Sequence, residues 1–279
     1  MPSVCKPLLR YPGGKSRKRK QLVALLRSHL ETASAFVEPF VGGGSVTLMV
    51  ASLFPSLLLL INDRDPNIFA FWDLVVNGSD DEIAEMAALI GRGASLELFD
   101  AERVRCECVD RSRVLKAYHA VFFSKVTHNG IFHASPIGGR DQEGKRWKID
   151  CQYEPRRLME TFHQIRSVLR GRTEVTGIDA LALLELLPVD VPMYLDPPYF
   201  GAGRKCYPVW MTAEEHIALS EILLRRRAWV LSYDDCPEIR ALYSWASVQT
   251  MAFKYSMASH GDVNKWSEAS ELVITPRTQ

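Results

Sequence analysis

An aspartate followed by two prolines and a tyrosine is the stretch of this sequence with the clearest chemical character. Asp196 follows the apolar run 191–195, which is short and rich in β-forming residues and therefore predicts a buried strand. Residues before proline avoid the α region and proline lacks an N–H, so Asp196, Pro197 and Pro198 form a stiff corner that offers only hydrogen-bond acceptors. With the ring of Tyr199, this corner suits a planar heterocycle that carries an exocyclic amine. The alternative is a rigid strand-to-loop turn, which proline pairs also mark.

A glycine loop in the first part of the chain predicts a nucleotide-type site. The apolar segment 35–41 leads into Gly42-Gly43-Gly44, and residues 45–54 have a helical pattern, so backbone can approach a ligand at the edge of a sheet. The next apolar strand ends at Asp63, about twenty residues after the glycines, where an acid can bind both hydroxyls of a ribose. A nicotinamide dinucleotide would be recognised by the same geometry, although Thr47 stands where its fingerprint has a third glycine.

The N-terminal segment contains Gly14-Lys15-Ser16, which looks like the end of a P-loop. A P-loop needs a glycine five positions before Gly14, where this chain has Leu9, so an ATP or GTP site is not expected. Four cations at 17–20 open a predicted helix with the apolar face Leu22, Leu25, Leu26 and Leu30. Cations at a helix N-terminus oppose the macrodipole, so this run indicates either a phosphate partner or a solvated face.

Strand and helix patterns alternate in the outer parts of the chain but not in its middle. Helical patterns dominate from residue 66 to about residue 166, after which strands are predicted at 173–178 and 228–233. The pattern predicts an α/β fold with helices on both faces of the sheet and a mostly helical insertion. We predict a catalytic domain of residues 1–66 and 166–279 and an inserted domain of residues 67–165.

Composition narrows the function further. The formal net charge of 279 residues is +1, so a nucleic-acid surface must come from local clusters of cations. The six cysteines form no C-x-x-C pair, and the spacing of Cys106, Cys108, His128 and His133 fits no common metal site, so we expect reduced thiols in the cytoplasm and no metal. The longest apolar run, 57–61, is too short to span a bilayer.

The motifs resemble those of amino-directed DNA methyltransferases that use S-adenosylmethionine. Three stretches carry the resemblance, in this order: Tyr11-Pro12-Gly13-Gly14-Lys15, Glu38-Pro39-Phe40 with its glycine loop, and Asp196-Pro197-Pro198-Tyr199. Aspartate as the first residue of the last motif is similar to the adenine-directed group. The resemblance implies a Rossmann-like methyltransferase sheet and N6 methylation of a flipped-out adenine in double-stranded DNA.

The resemblance also implies roles for particular residues. Tyr11 and Lys15 would cover the methionine end of the cofactor, with the ammonium facing its carboxylate, while Asp63 would bind the ribose and Asp179 the adenine. The implied cofactor-binding residues are Tyr11, Lys15, Glu38, Pro39, Phe40, Gly42, Gly44, Asp63, Ile178, Asp179 and Asp196. The implied catalytic residues are Asp196, Pro197, Pro198 and Tyr199. The Asp196 carboxylate and the Pro197 carbonyl would accept the two amine hydrogens, and Tyr199 would stack on the base.

DNA recognition is expected between the cofactor and catalytic motifs, as in the resembling family. A tight turn at 128–132 and a basic, hairpin-like loop at 138–148 supply side chains that can hold phosphates or read base edges. The expected DNA-binding residues are Arg17, Lys18, Asn129, Arg140, Lys145 and Arg146. A solvated loop is the alternative.

Several readings of the whole chain stay open from the sequence. An amine-recognising corner would also fit methylation of cytosine N4 or of RNA adenine, and a non-catalytic DNA-binding regulator could use the same scaffold. The expected partners are double-stranded DNA and, for a restriction-modification system, a restriction endonuclease. We expect a monomer or weak dimer without membrane contact.

Overall fold

A seven-stranded sheet forms the centre of the computed structural model, which describes residues 4–11, 14–200, 209–255 and 267–277. The described strands are β1 (Ala35–Glu38), β2 (Leu58–Asn62), β3 (Thr173–Thr176), β4 (Met193–Leu195), β5 (Trp229–Asp234), β6 (Ser247–Tyr255) and β7 (Ser267–Thr275). Their order is β3-β2-β1-β4-β5-β7-β6, with β1 to β5 parallel and β7 antiparallel to both neighbours. The chain therefore reverses its direction across the sheet between β1 and β4, which is where open α/β sheets bind ligands.

Helices cover both faces of this sheet. The described helices are α1 (Arg19–Leu30), α2 (Ser45–Leu53), α3 (Pro66–Asn77), α4 (Asp80–Gly91), α5 (Leu96–Cys106), α6 (Arg113–Val126), α7 (Pro155–Leu169), α8 (Ala180–Leu186), α9 (Ala213–Leu224) and α10 (Pro237–Leu242). Side chains of α1 to α7 form one buried core and those of α8 to α10 a second. This arrangement confirms the predicted Rossmann-like α/β fold. None of the helices in the described ranges is both long and apolar enough to cross a bilayer.

Local sequence signals explain where several helices begin. The predicted capping box of α9 is present, because the Thr212 hydroxyl accepts from the Glu215 amide and the Glu215 carboxylate accepts from the Thr212 amide. Helix α1 instead starts at Arg19, and its N-cap residue Lys18 forms no side-chain capping hydrogen bond. The predicted apolar face of α1 was wrong in one position: Leu25 is 41% exposed, while Val23 is buried.

The middle of the chain is mostly helical, as predicted, but it shares its core with the sheet layer. Helices α3 and α4 both pack on α6, and both also contact α7. The division into a catalytic domain and an inserted recognition domain of residues 67–165 stays a prediction. The prediction of a hairpin-like loop at 138–148 was wrong, because this stretch is a run of turns and bends. The nearest β-pairing lies before it and is an isolated bridge between Thr127 and Pro136.

One buried amide side chain fastens three strand ends together. Asn62, at the end of β2, donates to the carbonyls of Pro39 and Ile178 at 3.0 and 3.1 Å. Its oxygen accepts from the Thr176 hydroxyl at 2.8 Å and from the Ile178 amide at 3.0 Å. The segments that follow β1, β2 and β3 are thereby held in register at the ligand edge of the sheet.

We expect Asn62→Ala to lower the free energy of unfolding by roughly 2–3 kcal/mol, because several buried polar groups would lose their hydrogen-bond partner. Urea denaturation measures the change. The control is Asn77→Ala, which removes an exposed amide that donates to Asp73 on the surface of α3. The control should cost less than about 0.5 kcal/mol, and equal losses in the two variants would contradict the fastening role.

Candidate active site

A cavity of about 720 Å³ opens where β1, β2 and β4 end. Parallel strands bring their carboxyl ends to one edge, so residues that are distant in sequence meet there. The predicted site residues that line it are Tyr11, Lys15, Glu38, Pro39, Phe40, Gly42, Gly44, Asp63, Asp179, Asp196 and Pro198. Of the predicted catalytic and cofactor-binding residues, Pro197, Tyr199 and Ile178 are not among its lining residues. Pro12 and Gly13 of the N-terminal motif lie outside the described residues.

The glycine loop has a conformation that side chains would not tolerate. Gly42 and Gly44 have φ angles of 43° and 65°. A Cβ atom on Gly44 would lie 2.3 Å from Cζ2 of Trp72, whose indole N–H donates to the Gly42 carbonyl at 2.9 Å. Trp72 on α3 is fully buried and packs against the glycine loop. Its position in an apolar helix pattern marks it only as a core residue, so sequence reasoning missed this contact.

Asp63 ties the glycine loop to the end of β2. One of its carboxylate oxygens accepts from the Gly42 amide at 2.8 Å and the other from the Asp65 amide at 3.0 Å. Burial raises the pKa of Asp63 to about 7, and the nearby charge of Asp65 adds to this effect. The carboxylate thus shapes the loop in this structure, and its predicted contact with a ribose stays a prediction.

Glu38 is buried against the first turn of α2. Its carboxylate accepts from the Thr47 amide at 2.8 Å and from the Thr47 hydroxyl. Burial raises the pKa of Glu38 to about 8, against the lowering effect of these hydrogen bonds. Glu38 therefore orients the helix that follows the glycines. In the sequence, Thr47 stands out only because it replaces the third glycine of a dinucleotide fingerprint, so its hydrogen bonds to Glu38 were not predicted.

Asp196 lies in an ionic cluster at the end of β4. The buried Lys15 ammonium donates to both Asp196 carboxylate oxygens, at 2.7 and 2.9 Å, and to the Tyr199 hydroxyl at 2.9 Å. Tyr199 donates to Glu271 of β7 at 2.5 Å, and a Glu271 oxygen lies 3.6 Å from the Lys15 nitrogen. The resemblance placed Lys15 against the cofactor's carboxylate, whereas here its partner is the carboxylate of Asp196. Sequence reasoning did not find Glu271.

The electrostatic state of Asp196 follows from this cluster. Burial raises the pKa of Asp196 to about 6, the Lys15 charge opposes the rise, and the Glu271 charge adds to it. The Asp196 side chain is still 21% exposed, compared with 2% for that of Lys15. Asp196 thus presents an ionisable acceptor towards the cavity.

Asp179 begins helix α8 and faces the other side of the cavity. Its carboxylate accepts from the amides of Leu181 and Ala182 at 3.0 and 3.1 Å, as an N-cap does. It also pairs with Arg64 at 3.1 Å, and Arg64 donates to the Trp210 carbonyl at 3.0 Å. Ile178 is held through its backbone by Asn62, and its side chain is 43% exposed.

The expected DNA-binding residues fall into two groups. Arg17, Lys18 and Asn129 line the cavity. Arg140 pairs with Asp100 at 2.7 Å on the surface, and Lys145 and Arg146 are exposed elsewhere on the turn-rich segment, with Arg146 stacked 5.2 Å from the ring centre of Trp147. The structure therefore brings only the first group to the candidate site, and contact of either group with DNA stays a prediction.

Comparison with known proteins agrees with this geometry. The family model described as D12 class N6 adenine-specific DNA methyltransferase matches residues 11–257. The chain is also similar to the Type II methyltransferase M.MjaIII of Methanocaldococcus jannaschii, with 24% identity over 209 residues that cover 70% of this chain and 69% of the relative.

We expect Gly44→Ala to destabilise the loop by about 3 kcal/mol, because the methyl group would collide with Trp72 in addition to straining the left-handed backbone. Gly93→Ala is the matched control, since Gly93 has a φ of 77° and no atom within 4 Å of an added Cβ. The control should show only the backbone cost of about 1–2 kcal/mol. Thermal unfolding of both variants checks this, and equal losses would refute the Trp72 contact.

Proposed function

Because the chain belongs to the D12 class N6 adenine-specific DNA methyltransferases, we propose that its cavity binds S-adenosylmethionine together with one adenine turned out of duplex DNA. The observation that carries the proposal is that the Asp196 carboxylate and the glycine loop line the same cavity. A volume of about 720 Å³ lies within the range of ligand sites, about 300–1,000 Å³. The reaction is methylation of adenine N6 in DNA.

The lining residues fit the proposed cofactor. Gly42 and Gly44 let the loop backbone pack closely against Tyr11 and Trp72, because a Cβ on either glycine would lie 3.0 Å or less from one of these rings. The carboxylates of Asp63 and Asp179 suit the hydroxyl and amine donors of a nucleoside, with Ile178 as an apolar neighbour. Tyr11, Lys15, Glu38, Pro39 and Phe40 would complete the site. When bound, S-adenosylmethionine supplies an electrophilic methyl group on a sulfonium.

Asp196 and Pro197 would orient the reacting amine. The lone pair of an adenine amine is delocalised into the ring, which makes the nitrogen a poor nucleophile. Acceptance of its two hydrogens by the Asp196 carboxylate and the Pro197 carbonyl would favour a tetrahedral nitrogen with its lone pair directed at the methyl group. Positioning and preorganised charge provide catalysis in this scheme, and Asp196 can take up the proton after the methyl group has transferred.

Lys15 and the incoming amine would share the Asp196 carboxylate. In this structure the ammonium donates to both Asp196 oxygens, and each carboxylate oxygen can accept a further hydrogen bond. The Tyr199 hydroxyl at 2.9 Å and the Glu271 carboxylate at 3.6 Å help to keep the ammonium in place. Because Glu271 also accepts from Tyr199, it would fix the ring on which the extruded base stacks.

The remaining predicted residues would serve DNA. We propose that Arg17, Lys18 and Asn129 contact DNA at the cavity and that Arg140, Lys145 and Arg146 contact it from the predicted recognition domain, residues 67–165. The relative from Methanocaldococcus jannaschii is a Type II methyltransferase by name. We propose the same type for this chain, with a restriction endonuclease as its functional partner.

We expect label from methyl-labelled S-adenosylmethionine to appear in N6-methyladenine when the protein acts on mixed-sequence duplex DNA. Asp196→Asn should reduce kcat by about 10²–10³ because it removes the charged acceptor, as loss of a preorganised group in other active sites does. DNA affinity should be retained. The control is Asp190→Asn, an exposed acid at the opposite end of β4. Label in cytosine, in RNA alone, or in no nucleoside despite bound cofactor would refute the proposal.

The pH dependence of kcat/KM should report the ionisation of Asp196 in the free enzyme. The carboxylate must be charged to accept the amine hydrogens, so kcat/KM should fall about tenfold per pH unit below the Asp196 pKa of about 6. Glu271→Gln removes a negative charge that raises this pKa, and the midpoint should therefore move to lower pH. Glu214→Gln, on the exposed first turn of α9, is the control and should leave the midpoint unchanged. A midpoint that stays in place or rises in Glu271→Gln would contradict the electrostatic coupling.

A further inference from the structure

Two half-buried cations, Arg10 and Lys125, line the cavity on the side of the helical segment. Arg10 precedes the N-terminal motif, and Lys125 lies in the last turn of α6. The backbone beside them is tightly packed, because a Cβ on Gly130, which has a φ of 70°, would lie 2.2 Å from the Arg10 carbonyl oxygen. The position of Arg10 is thus fixed by the turn that follows α6.

The hydrogen-bond partners of the Arg10 guanidinium are neutral. Its two terminal nitrogens donate to the Gln152 oxygen at 3.2 Å and to the Asn129 oxygen at 3.4 Å. Within the described parts of the chain, neither Arg10 nor Lys125 forms an ion pair with a carboxylate. The Arg10 guanidinium is therefore held at the cavity by amide side chains, and the charges of Arg10 and Lys125 have no carboxylate partner among the described residues.

Burial makes this arrangement costly. Desolvation lowers the pKa of Lys125 to about 8, and the charge of Arg10 lowers it further. Desolvation also lowers the pKa of Arg10. Both effects disfavour the charged forms, and a bound anion would reverse them.

Several cations line the cavity besides those paired with its acids. Most of the acids lie at or near strand ends, where Asp196 is paired with Lys15 and Asp179 with Arg64. The further lining cations are Arg10, Lys125, Arg17 and Lys18. A cavity lined by this many cations suits a polyanion better than a single small carboxylate.

We propose that Arg10 and Lys125 form a subsite for a phosphodiester of the DNA strand that carries the target base. The inference rests on the proposed function, because a base that reaches Asp196 brings its flanking phosphates into the cavity. A guanidinium provides paired N–H donors for phosphate oxygens, and an ammonium adds a point charge. The subsite would hold the backbone of the extruded nucleotide while Asp196 holds its amine.

Lys125→Met tests the subsite without removing any of the hydrogen bonds that hold Arg10. For a fluorescently labelled mixed-sequence duplex, we expect the slope of log affinity against log salt to become shallower by about 0.9, the value for one lost phosphate contact. The affinity for S-adenosylmethionine should not change. The melting temperature should be equal or higher, because a desolvated charge is replaced by an apolar side chain. Arg227→Met, an exposed cation that precedes β5 at the opposite edge of the sheet, is the matched control and should leave the slope unchanged.

The other possible results distinguish a failure of the phosphate subsite from a failure of the proposed methylation. An unchanged slope in Lys125→Met, with a wild-type protein that methylates adenine, would overturn the subsite alone. A shallower slope with a wild-type protein that transfers no label would support the subsite and overturn the function. Weaker S-adenosylmethionine binding, with or without a change in slope, would assign the cations to the cofactor's carboxylate and overturn the proposal. Arg10→Met, checked for folding by its melting temperature, should give a similar loss of slope, and the double variant about twice that loss.

Discussion

The site depends on the crowding of carboxyl groups at the ends of parallel strands. Glu38 is the last residue of β1, and Asp63 and Asp196 directly follow β2 and β4, so the parallel arrangement brings all three to one partly buried edge. Burial raises the pKa of each, to about 8, 7 and 6 respectively. Backbone amides, the Thr47 hydroxyl and the Lys15 ammonium stabilise them. An edge of this kind favours ligands that donate hydrogen bonds, which agrees with a nucleoside cofactor and an exocyclic amine.

The same chemical group acquires different roles from its surroundings. One oxygen of Glu38 accepts from both the amide and the hydroxyl of Thr47, and both oxygens of Asp63 accept from backbone amides, so these two acids mainly shape the glycine loop and the start of α2. Asp196 has the lowest pKa of the three and remains partly exposed. It is therefore the acid that is mainly ionised near neutral pH and able to accept a further hydrogen bond from the cavity. Environments that push the pKa values of neighbouring acids apart are a means of assigning their roles.

Local signals allowed the framework to be predicted from sequence. Short apolar runs followed by glycines, an acid or a proline pair identify the ends of β1, β2 and β4, because the chemistry is encoded within a few residues. Short or weakly patterned elements were missed: α5 buries only Phe99 and Glu102, and α8 is seven residues long. Contacts between distant segments were also missed. Trp72 under the glycine loop and Asn62 between strand ends look like ordinary core and strand residues until the fold brings their partners close.

Glu271 shows most clearly why such contacts require the fold. It lies beyond residues 11–257, which match the family model, and its place is set by the antiparallel register that pairs it with Asp234 of β5. From there its carboxylate contacts Tyr199 of the proline corner at 196–199 and Lys15 of the N-terminal motif. The two ends of the chain therefore meet at the group proposed to orient the amine. Since unpairing a buried charge is costly, the packing of the last strand and the position of Lys15 are energetically linked, and the ionic cluster can form only when both are in place.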